Sequence, residues 1–160
     1  MVKQLYPRIE INLKYLKENV ATVVKLCGEK GIKVAGVMKG TTGIPECSKC
    51  FEDGGAALIA SSRLEQLEDA KEFGIKLPRL LLRVPMLSEI PEVIQIADVS
   101  LNSEIEVLKA LNEEAGKQGK QHKVIIMADL GDLREGFWDK DEMVEAAVEV
   151  ENNMDNLILG

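Results

Sequence analysis

Short apolar runs alternate with amphipathic segments along the chain, and this alternation limits the fold more than any other feature of the sequence. Six runs occur in the 160 residues, at 34–38, 56–60, 80–84, 99–101, 124–128 and 157–159. They are largely apolar without a polar residue at every second position, which is typical of strands that are covered on both faces. Strands of this kind joined by helices make right-handed crossovers within a parallel sheet. We therefore predict an α/β protein with six parallel strands.

Helical periodicity between the runs predicts six helices, at about 13–28, 45–53, 64–74, 88–97, 104–116 and 140–152. Two of them carry start signals. Ser61 and Ser62 are the expected N-cap of the third helix, because a serine hydroxyl can accept a hydrogen bond from a free N–H of the first turn. Ser103 and Glu106 have the spacing of a capping box at the start of the fifth helix.

Six parallel strands fit two designs. One is an open, doubly wound sheet, which can be complete at this length. The other is a (β/α)₈ barrel of the TIM type with six of its eight strands present, since a whole barrel takes about 250 residues. No glycine-rich phosphate loop of the dinucleotide type follows any strand, which weakens the first design. The residues alone leave both designs open, and no linker marks a second domain within residues 1–160.

Charge and composition limit the partners. The formal net charge is −7 and the pI is about 4.9, which argues against nucleic acid or an anionic membrane as the main partner. No apolar run approaches the roughly 20 residues of a membrane helix. Residues 1–5 lack the apolar segment of a signal peptide, and three cysteines are too few for a disulfide framework. We expect a cytoplasmic protein.

Polar side chains follow the strands at their carboxyl ends, where parallel α/β folds bind ligands. They are Lys39 after the first strand, Ser61 and Ser62 after the second, Arg83 after the third, Asn102 after the fourth, and Asp129 and Arg134 after the fifth. These positions identify one rim of the sheet as the candidate site.

Lys39 and Arg134 are the rim residues with the most specific chemistry. An amine at the mouth of an apolar site loses solvation when charged, which lowers its pKa and makes it a better nucleophile toward an aldehyde. The planar fork of Arg134 suits a phenolate or carboxylate. The alternatives are a solvated lysine and a loop arginine paired with a neighbouring acid.

Other reactive residue types are interpreted structurally. Cys47 and Cys50 are expected on a helix face, since no second cysteine pair offers further zinc ligands, and we predict no metal site. His122 is the sole histidine and is expected to be solvated at the amino end of a strand. Phe137 and Trp138 are expected to pack, with a lid over the site as the alternative.

The residues around Lys39 and Arg134 resemble a known family. Residues 34–39, followed by a glycine-containing loop, resemble the lysine strand of the fold-type III pyridoxal-phosphate enzymes typified by alanine racemase, and residues 60–67 resemble that family's second strand and helix start. Asp129, Gly131 and Arg134 match its Asp-x-Gly-x-x-Arg motif without a gap. The wording of residues 129–136 is similar to the alanine/ornithine racemase branch.

The resemblance implies a pyridoxal-phosphate-binding (β/α)₈ barrel of which residues 1–160 are the N-terminal part. It implies that Lys39 holds the cofactor as a Schiff base and acts as one base, with Arg134 beside the phenolic oxygen. Asp129 would support the loop. Where alanine racemase has a phosphate-binding tyrosine, this chain has a loop with Thr41 and Thr42. The full expected set of cofactor contacts is Lys39, Thr41, Thr42, Ser61, Asn102, Asp129 and Arg134.

The implied function is racemisation of an amino acid, alanine or ornithine, by proton removal at Cα and its return to the opposite face. Asp129 or Glu135 could contact the second ammonium of ornithine. The family's opposing tyrosine base and most of its phosphate contacts lie outside residues 1–160, so this polypeptide is expected to be inactive by itself. The alternative is a non-catalytic pyridoxal-phosphate-binding protein of the same fold. A homo-oligomer, most simply a dimer, is expected in either case, with association through unpaired strand edges.

Overall fold

The computed structural model of this protein describes residues 7–160, in which six α-helices alternate with six β-strands. The helices are α1 Leu13–Gly28, α2 Pro45–Asp53, α3 Leu64–Glu72, α4 Ile90–Ile96, α5 Ile105–Lys117 and α6 Lys140–Asn153. The strands are β1 Ala35–Val37, β2 Leu58–Ser61, β3 Arg79–Leu81, β4 Val99–Asn102, β5 His122–Ile126 and β6 Leu157–Leu159. Residues 1–5, to which the signal-peptide expectation refers, lie outside the described residues.

The order of the strands decides between the two predicted designs. Each strand pairs in parallel with the next one along the chain, giving the order β1-β2-β3-β4-β5-β6. A doubly wound sheet reverses direction beside its first strand, whereas a (β/α)₈ barrel places the strands in sequence around a ring. The fold is therefore a partial barrel of the TIM type, as predicted. Within the described residues, β1 and β6 are the open edges of the sheet.

The two faces of the sheet pack against different partners. Ala60, Leu80 and Val99 are register neighbours and form an inner cluster built from strand residues. The alternate positions, such as Ile59 and Leu81, join the main core together with residues of the helices. This arrangement explains why the strand sequences are apolar throughout, because both faces of each strand lie against apolar side chains.

A glycine sets the spacing between β1 and the helix layer. A Cβ atom built on Gly36 would lie 2.4 Å from Cγ of Phe51 on α2, far inside van der Waals contact. Since only glycine permits this approach, β1 and α2 pack directly on each other. This packing fixes the position of the C-terminal end of β1, and therefore of the residues that follow it.

Both predicted helix starts are wrong. The N-cap of α3 is Arg63, without a side-chain cap, because Ser61 still belongs to β2 and its buried hydroxyl donates to Oε1 of Gln66 at 2.6 Å. The N-cap of α5 is Glu104, again without a side-chain cap. Ser103 therefore lies one residue too early to form the predicted box.

The expectation that His122 is solvated is also wrong. The residue is only 2% exposed, and its Nε2 lies 2.9 Å from Oγ of Ser100. That hydroxyl also accepts a hydrogen bond from Nδ2 of Asn102 at 3.1 Å. Burial lowers the pKa of His122 to about 4, against the attraction of Asp98 and a hydrogen bond to the Ala97 carbonyl. The imidazole is therefore neutral at physiological pH and contributes to the core.

This burial predicts a pH dependence of folding. Between pH 6.5 and about 4 the unfolded chain binds a proton on His122 and the folded chain does not. The free energy of unfolding should thus fall as the pH falls through that window, by about 3 kcal/mol in total. Urea unfolding from pH 7 to pH 4.5 measures it. His122→Gln should lose this part of the slope and keep the carboxylate part; parallel curves for the two proteins would contradict the assignment.

Candidate active site at the carboxyl rim

The parallel sheet brings Lys39 and Arg134 to the same rim. Lys39 follows the C-terminal end of β1, and Arg134 lies in the loop after β5. All six strands run in the same direction, so their C-terminal ends share one edge. The segments that carry Lys39 and Arg134 therefore lie on one rim of the sheet.

Lys39 belongs to a tight turn that the core anchors. Residues 38–41 form one turn of 3-10 helix, and Met38 is fully buried in the helix-facing core. Lys39 itself is exposed, so the described residues leave its amine accessible to a ligand.

The two threonines of this turn bond locally. Oγ1 of Thr41 donates to the Met38 carbonyl at 3.1 Å, and Oγ1 of Thr42 donates to the Thr41 carbonyl at 2.8 Å. Thr42 has a φ of 51°, a left-handed conformation that non-glycine residues seldom adopt. A phosphate contact from either hydroxyl would require it to turn away from these carbonyls. The predicted contacts of Thr41 and Thr42 remain predictions.

The loop of residues 129–136 is closed at its base by main-chain hydrogen bonds. The N–H of Phe137 donates to the Met127 carbonyl at 2.8 Å, and the N–H of Asp129 donates to the Phe137 carbonyl at 2.9 Å. Gly136, with a φ of 120°, fits into this base, because a Cβ there would lie 2.4 Å from the main-chain nitrogen of Asp129. The loop therefore returns to its starting point with a defined shape.

Asp129 organises the interior of this loop. Its Oδ1 accepts hydrogen bonds from the N–H of Gly131 at 2.7 Å and of Leu133 at 3.2 Å. These N–H groups, that of Gly131 foremost, hold the pKa of the Asp129 carboxyl below its usual range. Gly131 and Leu133 have φ values of 112° and 52°, so the turn needs the glycine. Arg134 then follows with its side chain 71% exposed, and its Nε lies 3.9 Å from Oε1 of Glu135.

A cavity of about 450 Å³ lies beside Arg134 on the rim. Its wall includes Val84 and Glu104 from the loops after β3 and β4, together with Arg134, Glu135 and Trp138 after β5. Among the described residues, Arg134 is the one cationic member of the lining, so Lys39 lies outside it, and the lining carries three carboxylates. Glu104 is not among the residues predicted for the site. Its position two residues after the last residue of β4 is the sequence feature that indicates a place on this rim.

The side chains of Ser61 and Asn102 lie away from this cavity. Both are fully buried. The hydroxyl of Ser61 bonds within the start of α3, and Nδ2 of Asn102 donates to the carbonyl and hydroxyl of Ser100. Oδ1 of Asn102 has no hydrogen-bond partner among residues 7–160. Their predicted cofactor contacts stay predictions, and both have structural partners.

The predictions for the remaining residues are confirmed for some and wrong for others. Phe137 packs against the core as predicted, but Trp138 is 69% exposed and lines the cavity, so the packing interpretation is wrong for it. Cys47 and Cys50 are buried on α2, and burial raises the pKa of both thiols. They therefore behave as small core side chains at neutral pH.

No helix among residues 7–160 has the length and apolar character needed to cross a bilayer.

Comparisons with known proteins agree on a family. The family model described as alanine racemase, N-terminal domain, matches residues 11–159. The chain is 38% identical over 146 residues to the ornithine racemase of Acetoanaerobium sticklandii, covering 91% of this chain and 41% of that protein. It is 36% identical over 143 residues to the lysine racemase of Thermotoga maritima, covering 89% of this chain and 40% of that protein. The chain thus spans about two fifths of the length of these relatives.

Solved structures match the fold. An alanine racemase from Clostridium difficile 630 superposes with a TM-score of 0.79 at 23% identity, over 95% of this chain and 42% of that chain. A D-threonine aldolase from Filomicrobium marinum superposes with a TM-score of 0.86 at 18% identity, over 98% of this chain and 43% of that chain. At these identities the likeness shows the barrel fold alone.

The hydrogen bonds of Asp129 predict how the loop responds to mutation. Asp129→Ala removes the acceptor of the Gly131 and Leu133 N–H groups, so amide hydrogen exchange over residues 130–135 should become several-fold faster. The emission of Trp138, the sole tryptophan, should shift in the same variant. Asp155→Ala, an exposed aspartate in the turn before β6, is the control and should leave both signals unchanged. Equal exchange in the two variants would count against this role of Asp129.

Proposed function

The chain belongs to the family of the alanine racemase N-terminal domain, and from that membership we propose that it is the barrel part of a pyridoxal-phosphate-dependent amino-acid racemase. The observation that carries the proposal is the parallel strand order, which brings the segments of Lys39 and Arg134 to one rim of the sheet. The Asp-x-Gly-x-x-Arg loop supports it, because its internal hydrogen bonds present Arg134 to solvent in a fixed place.

The donor set fits the ring of this cofactor. A primary amine suits the aldehyde of pyridoxal phosphate, and a guanidinium suits its phenolate. The hydroxyls of Thr41 and Thr42 already donate to neighbouring carbonyls. They are therefore weaker candidates for binding the phosphate than Lys39 and Arg134 are for binding the ring. Lys39 and Arg134 are therefore the residues that would hold the cofactor.

Each residue has a defined task in this mechanism. When bound, pyridoxal phosphate supplies the electron sink that acidifies the Cα–H bond of an amino acid. Lys39 would hold the cofactor through its amine and would move the Cα proton. Arg134 orients the phenolic oxygen through its planar fork, which a lysine could not do equally well. Asp129 keeps the arginine in place and takes no part in proton transfer, since the main chain already occupies its carboxylate.

We propose a diamino acid such as ornithine or lysine as the substrate in preference to alanine. The cavity beside Arg134 is lined by Glu104 and Glu135, and carboxylates suit a second ammonium group. Glu104 makes no side-chain hydrogen bond or ion pair with any residue from 7 to 160, so its charge is open to a ligand. The relatives named ornithine and lysine racemase, at 38% and 36% identity, support the same choice.

Cofactor attachment gives the first test. The polypeptide incubated with pyridoxal phosphate should develop a visible absorption band, and borohydride should fix the label on the peptide that contains Lys39. Lys39→Ala should remove both signals. Lys33→Ala changes an exposed lysine at the opposite end of β1 and should keep them. A label on another lysine, or none, would contradict the proposal.

Turnover is tested on a polypeptide that extends to the full length of the relatives. Exchange of the α-hydrogen in deuterated water should be faster for ornithine and lysine than for alanine, and Glu104→Gln should reduce this preference. Cofactor attachment without exchange of any amino acid would support the non-catalytic binding protein instead.

We also propose that the polypeptide is a cytoplasmic homo-oligomer. Its cysteines are unpaired thiols, which is typical of a reducing compartment. The edge strands carry exposed apolar side chains, with Val37 on β1 39% exposed and Ile158 on β6 45% exposed. Open edges with such side chains recruit further strands.

Self-association through the edges is measurable for residues 1–160. Sedimentation should give a mass above that of the monomer at high concentration, and Ile158→Lys should shift the equilibrium toward the monomer. Leu87→Lys is the control, since Leu87 is 61% exposed but follows the central strand β3. A monomer at every concentration would refute association through the edges.

A further inference from the structure

We propose that Arg83 is a positioning residue of the carboxyl rim, which holds the loops after β2 and β3 together and thereby fixes Val84 in the wall of the cavity beside Arg134. The loop contacts stand by themselves; the effect on a bound cofactor rests on the function proposed above. Arg83 has no part in that mechanism and does not line the cavity.

The guanidinium of Arg83 joins two loops. Its Nε donates to the Ser62 carbonyl, after β2, at 2.7 Å, and its Nη1 donates to the Val84 carbonyl at 3.2 Å. Nη1 and Nη2 also donate to the two carboxylate oxygens of Glu89, the second at 2.9 Å. The side chains of Arg83 and Glu89 are only 22% and 16% exposed. A bidentate, largely buried pair of this kind is more rigid than a surface ion pair.

Glu89 extends the link into the chain that precedes α4. Its Oε1 accepts a hydrogen bond from the N–H of Met86 at 2.9 Å. The guanidinium of Arg83 holds the pKa of Glu89 below its usual range, so the carboxylate remains charged at neutral pH. Residues 83–89 are thus tied to Ser62, and Val84 is fixed where it forms part of the cavity wall.

A second arginine at the other end of the same strand provides a matched comparison. Arg79 donates through Nε to the Ile96 carbonyl at 2.6 Å and through Nη2 to Oδ1 of Asp98 at 3.1 Å. Its side chain is 16% exposed. Like Arg83, Arg79 bonds a carbonyl and a carboxylate, but it uses a single Nη atom on Asp98 and contacts the chain before β4, at the amino end of the sheet. Comparing the two arginines therefore separates a general loss of stability from a loss of order at the carboxyl rim.

The experiment compares Arg83→Met, Arg83→Lys and Arg79→Met in the 160-residue chain. Urea unfolding measures the stability lost in each, and hydrogen exchange is followed over residues 62–66 and 84–89. In Arg83→Met both segments should exchange faster than the change in global stability explains, and Arg83→Lys should recover part of the protection. In Arg79→Met the two segments should follow global stability. The same pattern in both methionine variants would overturn the proposal.

Cofactor binding gives the second readout. Arg83→Met should weaken the affinity for pyridoxal phosphate by about tenfold, the scale typical of groups that hold a ligand's contacts in place, while Arg79→Met stays within about twofold. Faster loops with unchanged affinity would overturn the link to the site. If the unmutated chain binds no pyridoxal phosphate, the proposed function fails, and hydrogen exchange still decides whether Arg83 positions the rim.

Discussion

Main-chain pairing of six parallel strands in sequential order is the constraint on which the rest of this structure depends. A parallel pair needs a crossover for every strand, so each strand acquires a covering helix on its outer face. The inner face is left to pack against other strands, as Ala60, Leu80 and Val99 do. The same pairing gathers every strand's C-terminal end on one rim, and a lysine and an arginine separated by nearly a hundred residues thereby lie on the same rim.

Local sequence information specifies the loops of this rim to different degrees. The conformation of the loop after β5 is determined by its own residues, because Asp129 accepts hydrogen bonds from N–H groups within the loop and Gly136 permits its closure. The loops after β2 and β3 depend instead on a contact between distant segments, from Arg83 to Ser62. The sequence motif therefore predicts the loop after β5. The contact between the loops after β2 and β3 can be recognised only in the folded structure, where the strands lie side by side.

The sequence predicts the helices and strands well, but it predicts poorly which residues of a strand face the helices. The boundaries of α2 and β6 match the prediction because apolar periodicity, proline and glycine act within a few residues. The residues alone leave strand order open, since it depends on which distant strands pair. His122 and Asn102 show the second limit: where a strand is apolar on both faces, its sequence does not reveal which alternate positions face the helices. The sequence therefore does not predict that the side chains of Asn102 and Ser61 are fully buried.

The carboxylates of the rim serve different purposes according to their partners. Main-chain N–H groups occupy Asp129, and Arg83 occupies Glu89, so both stabilise loops and have little capacity left for a ligand. Glu135 lies 3.9 Å from Nε of Arg134, whereas Glu104 has no hydrogen-bond or ion-pair partner for its side chain among residues 7–160. Since a charge already paired offers little to a second ion, the proposed preference for a diamino acid would depend on Glu104 more than on Glu135. The number of acids around a cavity therefore indicates its ligand only when the acids that already have a hydrogen-bond or ion-pair partner are left out of the count.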